Sequence, residues 1–117
     1  MLAATQRGLR FGVVALAEAS VARQRRRVAE LGLQARYAGS RAISLSVPEL
    51  ADADRTVAAM IQAGRRLVDE DGADVIVMGC AGMADYRQAL AEAIGAPVVE
   101  PTQAAIGAAV AAALQGW

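Results

Sequence analysis

The side chains that could do acid–base chemistry in this sequence are few: Cys80, two Tyr and the carboxylates. The chain has 117 residues, no His and one Cys, and all 12 of its basic residues are Arg. Without His, neither a Ser-His-Asp triad nor a Cys-His pair can form within the chain. Without Lys, neither a P-loop nor a Schiff-base enzyme is possible. One Cys, without His, cannot provide the ligands of a usual zinc site, so we expect no metal site of that kind.

Cys80 follows an apolar stretch, ADVIVM at residues 73–78, whose β-branched residues predict a buried strand. Sites in open α/β sheets lie at the carboxyl ends of strands. A helix that begins just after Cys80 would favour the thiolate and offer free N–H groups to an anion. The flanking Gly79 and Gly82 would let a substrate approach the backbone closely. The same position also suits a small buried apolar side chain, because free Cys is among the most buried residue types.

The elements that would position Cys80 alternate between strand and helix patterns. Strands are predicted at residues 9–16, 42–46, 73–78 and 97–100. Helices are predicted at residues 21–31 with Ser20 as the cap, from a cap at Asp52 or Asp54 to Gly72, at residues 83–94, and from Pro101 to about Gln115. This order predicts an α/β fold with an open four-stranded parallel sheet and helices on both faces. Residues 1–117 are expected to form one domain, with residues 1–8 frayed.

Charge and hydropathy narrow the class further. The net charge is zero and the isoelectric point is about 6.2, which does not favour binding to nucleic acid or to a membrane. The longest apolar run, at residues 104–114, is too short to span a bilayer, and no signal peptide is recognised. A single Cys cannot form an internal disulfide, which is typical of a reducing compartment. We therefore expect a cytoplasmic protein.

The motif GCAGM at residues 79–83, followed by GAPVVE at residues 95–100, resembles the aspartate/glutamate/hydantoin racemase family. The likeness extends over residues 70–110 and is closest to the second half of hydantoin racemases. The pieces RFGVV at residues 10–14 and LGLQARYAGSRAI at residues 31–43 are similar to the start of the same domain. The resemblance therefore covers nearly the whole chain.

The resemblance implies a cofactor-independent racemase that acts on an amino acid or a hydantoin-type derivative. Members of this family have two similar α/β domains with the active site between them, and each domain provides one Cys. One thiolate removes the proton of the α-carbon and the opposite thiol returns a proton to the other face. In this chain the resemblance implies that Cys80 is catalytic. It also implies that the substrate is bound by Gly79, Ala81, Gly82, Met83 and Thr102.

The sequence departs from the family pattern in two ways. The family's N-terminal domain and its Cys are absent, so the expected partner is a second copy of the chain or a missing N-terminal half. Ala15 and Leu16 stand where the family usually has Thr or Ser. Three alternatives stay open: a truncated or partial racemase, a one-cysteine enzyme similar to the arylmalonate decarboxylases, and a non-catalytic domain that binds an anion or a partner chain.

Other charged and apolar groups have simpler interpretations. The basic run Arg23, Arg25, Arg26 and Arg27 and the acidic run at residues 69–71 are expected to be solvated. Tyr86 is expected to pack one turn beyond the motif. The last helix carries Ile106, Val110 and Leu114 on an Ala-rich surface. In relatives this helix returns toward the missing domain, so we expect self-association or marginal stability here.

Overall fold

A four-stranded, all-parallel sheet forms the centre of the molecule. The computed structural model describes residues 1–117. The strands are β1 (Phe11–Ala15), β2 (Tyr37–Ala42), β3 (Val75–Met78) and β4 (Val98–Val99), in the spatial order β2-β1-β3-β4. All residues of the inner strands β1 and β3 are buried, as is usual for strands covered on both faces. The predicted open parallel sheet is confirmed.

Five helices connect and flank these strands. They are α1 (Leu2–Thr5), α2 (Glu18–Glu30), α3 (Ala53–Asp69), α4 (Arg87–Ile94) and α5 (Pro101–Leu114). Three 3-10 segments lie between them, at Gln34–Arg36, Pro48–Ala51 and Ala81–Tyr86. None of the helices is both long enough and apolar enough to cross a bilayer.

The core is divided between the two faces of the sheet, because successive strand residues point to opposite sides. Val14 and Ile76 belong to the apolar cluster that includes buried residues of α3 and α4. Val13 and Val77 belong to a second cluster, with buried residues of α1 and α2. Helices therefore cover both faces, as the alternating pattern predicts.

α3 matches its sequence pattern well. Asp52 caps the helix, since its carboxylate accepts a hydrogen bond from the N–H of Arg55 at 3.1 Å. Met60 and Leu67, which share the predicted apolar face, are fully buried against the sheet. The helix ends at Asp69, three residues before Gly72, whose φ of +73° is a conformation that glycine adopts without strain.

Three predicted boundaries are wrong. The second strand is Tyr37–Ala42 rather than residues 42–46, because β2 is an edge strand whose residues are all partly exposed and show no alternation. Ser20 lies inside α2, whose N-terminal cap is Ala17. The segment after Cys80 is a 3-10 turn, and the α-helix predicted from residue 83 begins only at Arg87.

The N-terminal residues are packed rather than frayed. Ala4 of α1 is fully buried in the second apolar cluster. The guanidinium of Arg36 donates to the carbonyl oxygens of Thr5 at 3.1 Å and Gly8 at 2.6 Å. Two hydrogen bonds and the burial of Ala4 thus hold residues 1–8 in place, although their composition does not predict an ordered segment.

The amino ends of β1 and β3 are joined by Asp74. Its carboxylate accepts hydrogen bonds from the N–H groups of Leu9 at 2.8 Å and Arg10 at 2.9 Å. Burial raises the pKa of Asp74, but these hydrogen bonds outweigh burial and lower the pKa below its ordinary value.

Candidate active site

Cys80 lies where the strand order of the sheet reverses. From β1 the chain passes outward to β2 on one side and then returns to β3 on the other side of β1. Ligands of open α/β sheets bind outside the carboxyl ends of the strands at such a point. Cys80 comes two residues after the end of β3, and the N–H of Gly79 donates to the carbonyl of Val14 in β1 at 2.8 Å. The predicted position of Cys80 at the carboxyl edge is thus found.

Gly79 has no room for a side chain. A methyl group on its α-carbon would lie 2.7 Å from the carbonyl oxygen of Val14 and 2.7 Å from the amide nitrogen of Gln24. Real contacts of a methyl group are longer than this, so only glycine fits between β1 and α2. The turn that presents Cys80 therefore depends on Gly79.

Gln24 is a site residue that the sequence does not reveal. Its side-chain oxygen Oε1 is buried and has no hydrogen-bond partner, and its amide nitrogen faces Gly79. An unpaired buried polar atom is uncommon in folded proteins. Because Gln24 lies within the basic run of α2, no spacing or motif marks it in the sequence.

The thiol of Cys80 is partly exposed and packs beside the apolar cluster of α3 and α4. A methyl group on Gly82 would lie 3.6 Å from the sulfur atom and 3.3 Å from Cδ1 of Leu50. Glycine at this position therefore leaves open the space next to the sulfur. Cys80 has the extended backbone of an N-cap and precedes the 3-10 segment Ala81–Tyr86.

Two backbone N–H groups beside the thiol remain uncommitted. The first N–H groups of a helical segment have no partner within it, which applies to Ala81 and Gly82. The N–H of Met83 differs, because it donates to the carbonyl of Cys80 at 3.2 Å. The side chain of Met83 is also fully buried. The N–H of Met83 is therefore already engaged in shaping the turn, unlike those of Ala81 and Gly82.

Tyr86 fastens a neighbouring loop to the cysteine segment. Its hydroxyl donates to the carbonyl of Leu50 at 2.6 Å, and the Leu50 side chain is buried beside Gly82. Within this loop the carboxylate of Glu49 accepts from the N–H and the hydroxyl of Ser46 at 2.8 and 2.7 Å. These hydrogen bonds lower the pKa of Glu49. Tyr86 thus positions the loop at Pro48–Ala51 rather than contacting the thiol itself.

Ser44 is strained at the same edge of the sheet. Its φ of +55° is the only positive value at a residue other than glycine. Its neighbours extend the pairing with β1, since the N–H of Ile43 donates to Ala15 at 2.9 Å and that of Leu45 to Leu16 at 3.3 Å. Strained residues cluster at functional sites. The sequence contains no signal for this conformation.

The N-terminus of α5 is occupied by a buried carboxylate. Glu100 is 2% exposed, and its two oxygens accept from the N–H groups of Thr102 at 2.8 Å and Gln103 at 2.7 Å. Burial raises the pKa of Glu100, but these hydrogen bonds outweigh burial and the net pKa is lowered. Because the N–H of Thr102 donates to Glu100, only its exposed hydroxyl could serve a substrate. The cap of this helix is therefore Glu100.

The two charged runs of the sequence lie in α2 and at the end of α3. Arg41 pairs with Asp71 at 2.7 Å and with Glu70 at 2.8 Å, and the hydrogen bond to Asp71 raises the pKa of Arg41. The four arginines of α2 are exposed, as predicted. These groups form ion pairs or face solvent.

Comparison with known proteins points to one family. The Asp/Glu/Hydantoin racemase family matches residues 1–109. The hydantoin racemase of Paenarthrobacter aurescens is 37% identical over 89 residues, which cover 71% of this chain and 37% of that protein. The hydantoin racemase of Pseudomonas sp. (strain NS671) is 33% identical over 76 residues, which cover 64% of this chain and 30% of that protein.

Two solved structures are also similar. The allantoin racemase from Pseudomonas fluorescens superposes with a TM-score of 0.94 at 30% identity, covering 98% of this chain and 49% of that one. The allantoin racemase from Klebsiella pneumoniae gives a TM-score of 0.87 at 28% identity, covering 98% of this chain and 47% of that one. The chain thus spans about half the length of these two racemases.

Proposed function

The chain belongs to the Asp/Glu/hydantoin racemase family, and from this membership we propose that it moves a proton at the acidic α-carbon of a hydantoin or a related amino acid derivative. The named relatives are hydantoin and allantoin racemases. Both names refer to compounds with a five-membered ring whose reacting carbon lies next to a carbonyl group. We propose that Cys80 is the acid–base group and that the reaction needs no cofactor.

The position of the thiol carries this proposal. Cys80 is partly exposed at the point where the strand order reverses, with the open space left by Gly82 beside its sulfur. A thiolate there would take the proton from the α-carbon, and the electron pair of that C–H bond would move onto the adjacent carbonyl oxygen. The resulting enolate needs hydrogen-bond donors aimed at its oxygen.

The uncommitted N–H groups of Ala81 and Gly82 would supply those donors. They are fixed by the turn in which Met83 bonds to the carbonyl of Cys80, so they need no rearrangement when the charge develops. Removing one comparable donor costs about a hundredfold to a thousandfold in rate in other enzymes. Thr102 would add a hydroxyl at the same edge of the sheet. Gly79 would contribute by letting the turn approach β1.

A second candidate is favoured by the single thiol. One Cys can deliver a proton to one face of a planar intermediate, which is the chemistry expected of a one-cysteine decarboxylase-like enzyme. A third candidate, a domain that binds an anion or a partner chain without catalysis, would use the same N–H groups. The two catalytic candidates differ in product stereochemistry, and the third produces no exchange.

Deuterium exchange separates these candidates. We expect an optically pure 5-substituted hydantoin incubated with the protein in D2O to exchange its α-hydrogen, as followed by proton NMR, while polarimetry reports inversion. Cys80→Ser should abolish exchange beyond the uncatalysed rate. Thr5→Ala, at the opposite end of the molecule, serves as the matched control. Exchange that persists in Cys80→Ser would remove the proposed role of the thiol.

Gly79→Ala tests the turn without touching the thiol. The added methyl would lie 2.7 Å from a backbone oxygen of β1, so the turn must shift and displace the N–H groups from the reacting atom. We expect exchange to fall at least about a hundredfold, the scale of a lost oxyanion donor. The melting temperature, read by circular dichroism, reports whether the variant is still folded. Full exchange in a folded variant would show that the geometry of the turn is not needed.

A further inference from the structure

Gln24 of α2 lies against the turn that carries Cys80. Its amide nitrogen is 2.7 Å from the position that a methyl group on Gly79 would occupy, so the amide fills the space beside that glycine. On the β1 side, the N–H of Gly79 donates to the carbonyl of Val14 at 2.8 Å. The start of the cysteine turn is therefore held between a backbone hydrogen bond to β1 and a side chain of α2.

The acceptor end of this amide has no partner. Oε1 of Gln24 is the only buried side-chain nitrogen or oxygen of the chain that makes no hydrogen bond. Burial removes the water that such an oxygen would bind, and without a replacement partner that loss destabilises the fold. An unbranched apolar side chain of the same length would avoid this penalty. The stability of the fold therefore does not explain an amide at this position.

The attachment of α2 to the sheet does not explain the amide either. Val28 is the one buried residue of this helix, and it belongs to the second apolar cluster together with Val13 and Val77. Gln24 precedes Val28 by about one turn, nearer the start of α2 at the carboxyl end of β1. The helix is thus anchored by Val28, whereas Gln24 contacts the cysteine turn.

We propose that Gln24 is a positioning residue for the reaction at Cys80. By occupying the space beside Gly79 it fixes the distance between α2 and the turn, and so fixes where the thiol and the N–H groups of Ala81 and Gly82 point. This inference rests on the proposed function. The effect passes through the backbone of Gly79 and requires no contact between Gln24 and the substrate.

Proton transfer at carbon is sensitive to such placement. Displacing a reacting group by about 1 Å can slow an enzyme about a hundredfold. Donors that stabilise an enolate are effective when they are already aimed at its oxygen. Proteins therefore retain groups that lower stability where those groups secure the geometry of a site. The unpartnered oxygen of Gln24 is a group of this kind.

Gln24→Met separates a positioning role from a structural one. Methionine has a similar unbranched side chain and a similar helix propensity, but it lacks the amide. Because the buried unpartnered oxygen is removed, we expect the melting temperature to stay unchanged or to rise. We expect kcat for deuterium exchange at the α-carbon of a 5-substituted hydantoin to fall about tenfold or more, with KM little changed. Ala29→Met, at an exposed position of the same helix, is the matched control and should alter neither quantity.

Two results of this measurement would overturn the inference. Full exchange in a stable Gln24→Met variant would show that the amide does not set the geometry of the turn. A lowered melting temperature, with exchange reduced only by the unfolded fraction, would assign Gln24 to the stability of the fold. Both results leave the proposed function intact, because the wild type still exchanges.

A double-mutant cycle tests whether Gln24 acts through Gly79. A methyl group on Gly79 would meet both the amide of Gln24 and the carbonyl of Val14 at 2.7 Å, so Gln24→Ala removes one of these two obstacles. We expect Gly79→Ala to reduce exchange by a smaller factor in the Gln24→Ala background than in the wild type. Equal factors in the two backgrounds would contradict this path, since residues that do not interact have additive effects.

Alkylation of the thiol gives a measurement that does not depend on turnover. Cys80 is the only Cys, so the rate at which iodoacetamide modifies it can be followed by mass spectrometry. Displaced N–H groups stabilise the thiolate less, so Gln24→Met should react more slowly than the wild type at a fixed pH, and Ala29→Met at the wild-type rate. An unchanged rate in Gln24→Met would refute the positioning role. If the wild type exchanges no deuterium, the proposed function fails, and the alkylation rates alone decide whether Gln24 positions the thiol.

Discussion

α3 and α5 are helices of similar length that are stabilised in opposite ways. α3 has 17 residues and buries Met60 and Leu67 against the sheet. α5 has 14 residues and buries none of them, although it is the more apolar helix. α5 is held at its first turn, where the carboxylate of Glu100 accepts hydrogen bonds from two backbone N–H groups. The difference shows that apolar content does not predict burial: α3 has one apolar face, whereas α5 is apolar all round and is suited to a partner on its free side.

The largest expected loss of stability comes from truncating a buried side chain of α3, because α5 has no buried side chain. Leu67→Ala should lower the free energy of unfolding by about 2–5 kcal/mol, because it leaves a cavity in the core. Ile106→Ala in α5 should change it by less than about 0.5 kcal/mol in dilute protein, since this residue is exposed. Urea unfolding followed by circular dichroism measures both. Equal losses in the two variants would contradict the comparison.

The next effect concerns the first turn of each helix. Glu100→Gln should lower the free energy of unfolding by about 1 kcal/mol, the usual size of a capping interaction. Because the folded pKa of Glu100 is lowered from 4.5, its contribution is present above that value and is lost as the pH falls through the folded pKa. The wild type should therefore lose stability relative to Glu100→Gln below about pH 4.5.

Asp52→Asn provides the matched control for that measurement, because Asp52 caps α3 from an exposed position. Urea titrations of the three proteins between pH 3 and pH 7 give the comparison. If the difference between wild type and Glu100→Gln grew as the pH was lowered, the assigned direction of the Glu100 shift would be wrong.

The smallest expected change in stability comes from replacing a glycine inside each helix with alanine. A methyl group on Gly107 of α5 meets nothing within 4 Å, so Gly107→Ala should raise the free energy of unfolding by about 0.5–1 kcal/mol through helix propensity. A methyl group on Gly64 of α3 would lie 3.2 Å from Leu90 and 3.3 Å from Ile94. Crowding should cancel the gain in Gly64→Ala. Melting curves measure both changes in stability. If Gly64→Ala stabilised the protein more than Gly107→Ala, α3 would not be the packed helix and α5 the free one.

The sequence predicts those elements whose signals are local. β3 is a run of β-branched residues, Asp52 is a capping residue at a helix start, and Pro101 marks the first residue of α5. The position of Cys80 at the end of β3 follows from the same signals. The parallel sheet follows from the alternation of elements.

The remaining features depend on contacts between distant parts of the chain. The sequence prediction places β2 several residues too far toward the C-terminus, because an edge strand has no fully buried face to impose alternation. Gln24 comes to face Gly79 only through the packing of α2 on the sheet, and the conformation of Ser44 follows from pairing beyond the end of β2. The capping of α5 by Glu100 was not predicted, because glutamate is not among the residue types that usually cap a helix.

The pairing of β1 with β3 has a consequence for the time course of folding. The contact between Arg10 and Asp74 at the start of this pair joins positions 64 residues apart. Non-local pairing of this kind is slow, because the entropy of closing a long loop is lost before the contacts form. During synthesis β1 emerges early and must wait for β3 before Gly79 can bond to Val14. The cysteine turn therefore forms only once β3 has paired with β1, and a chain interrupted before β3 acquires none of it.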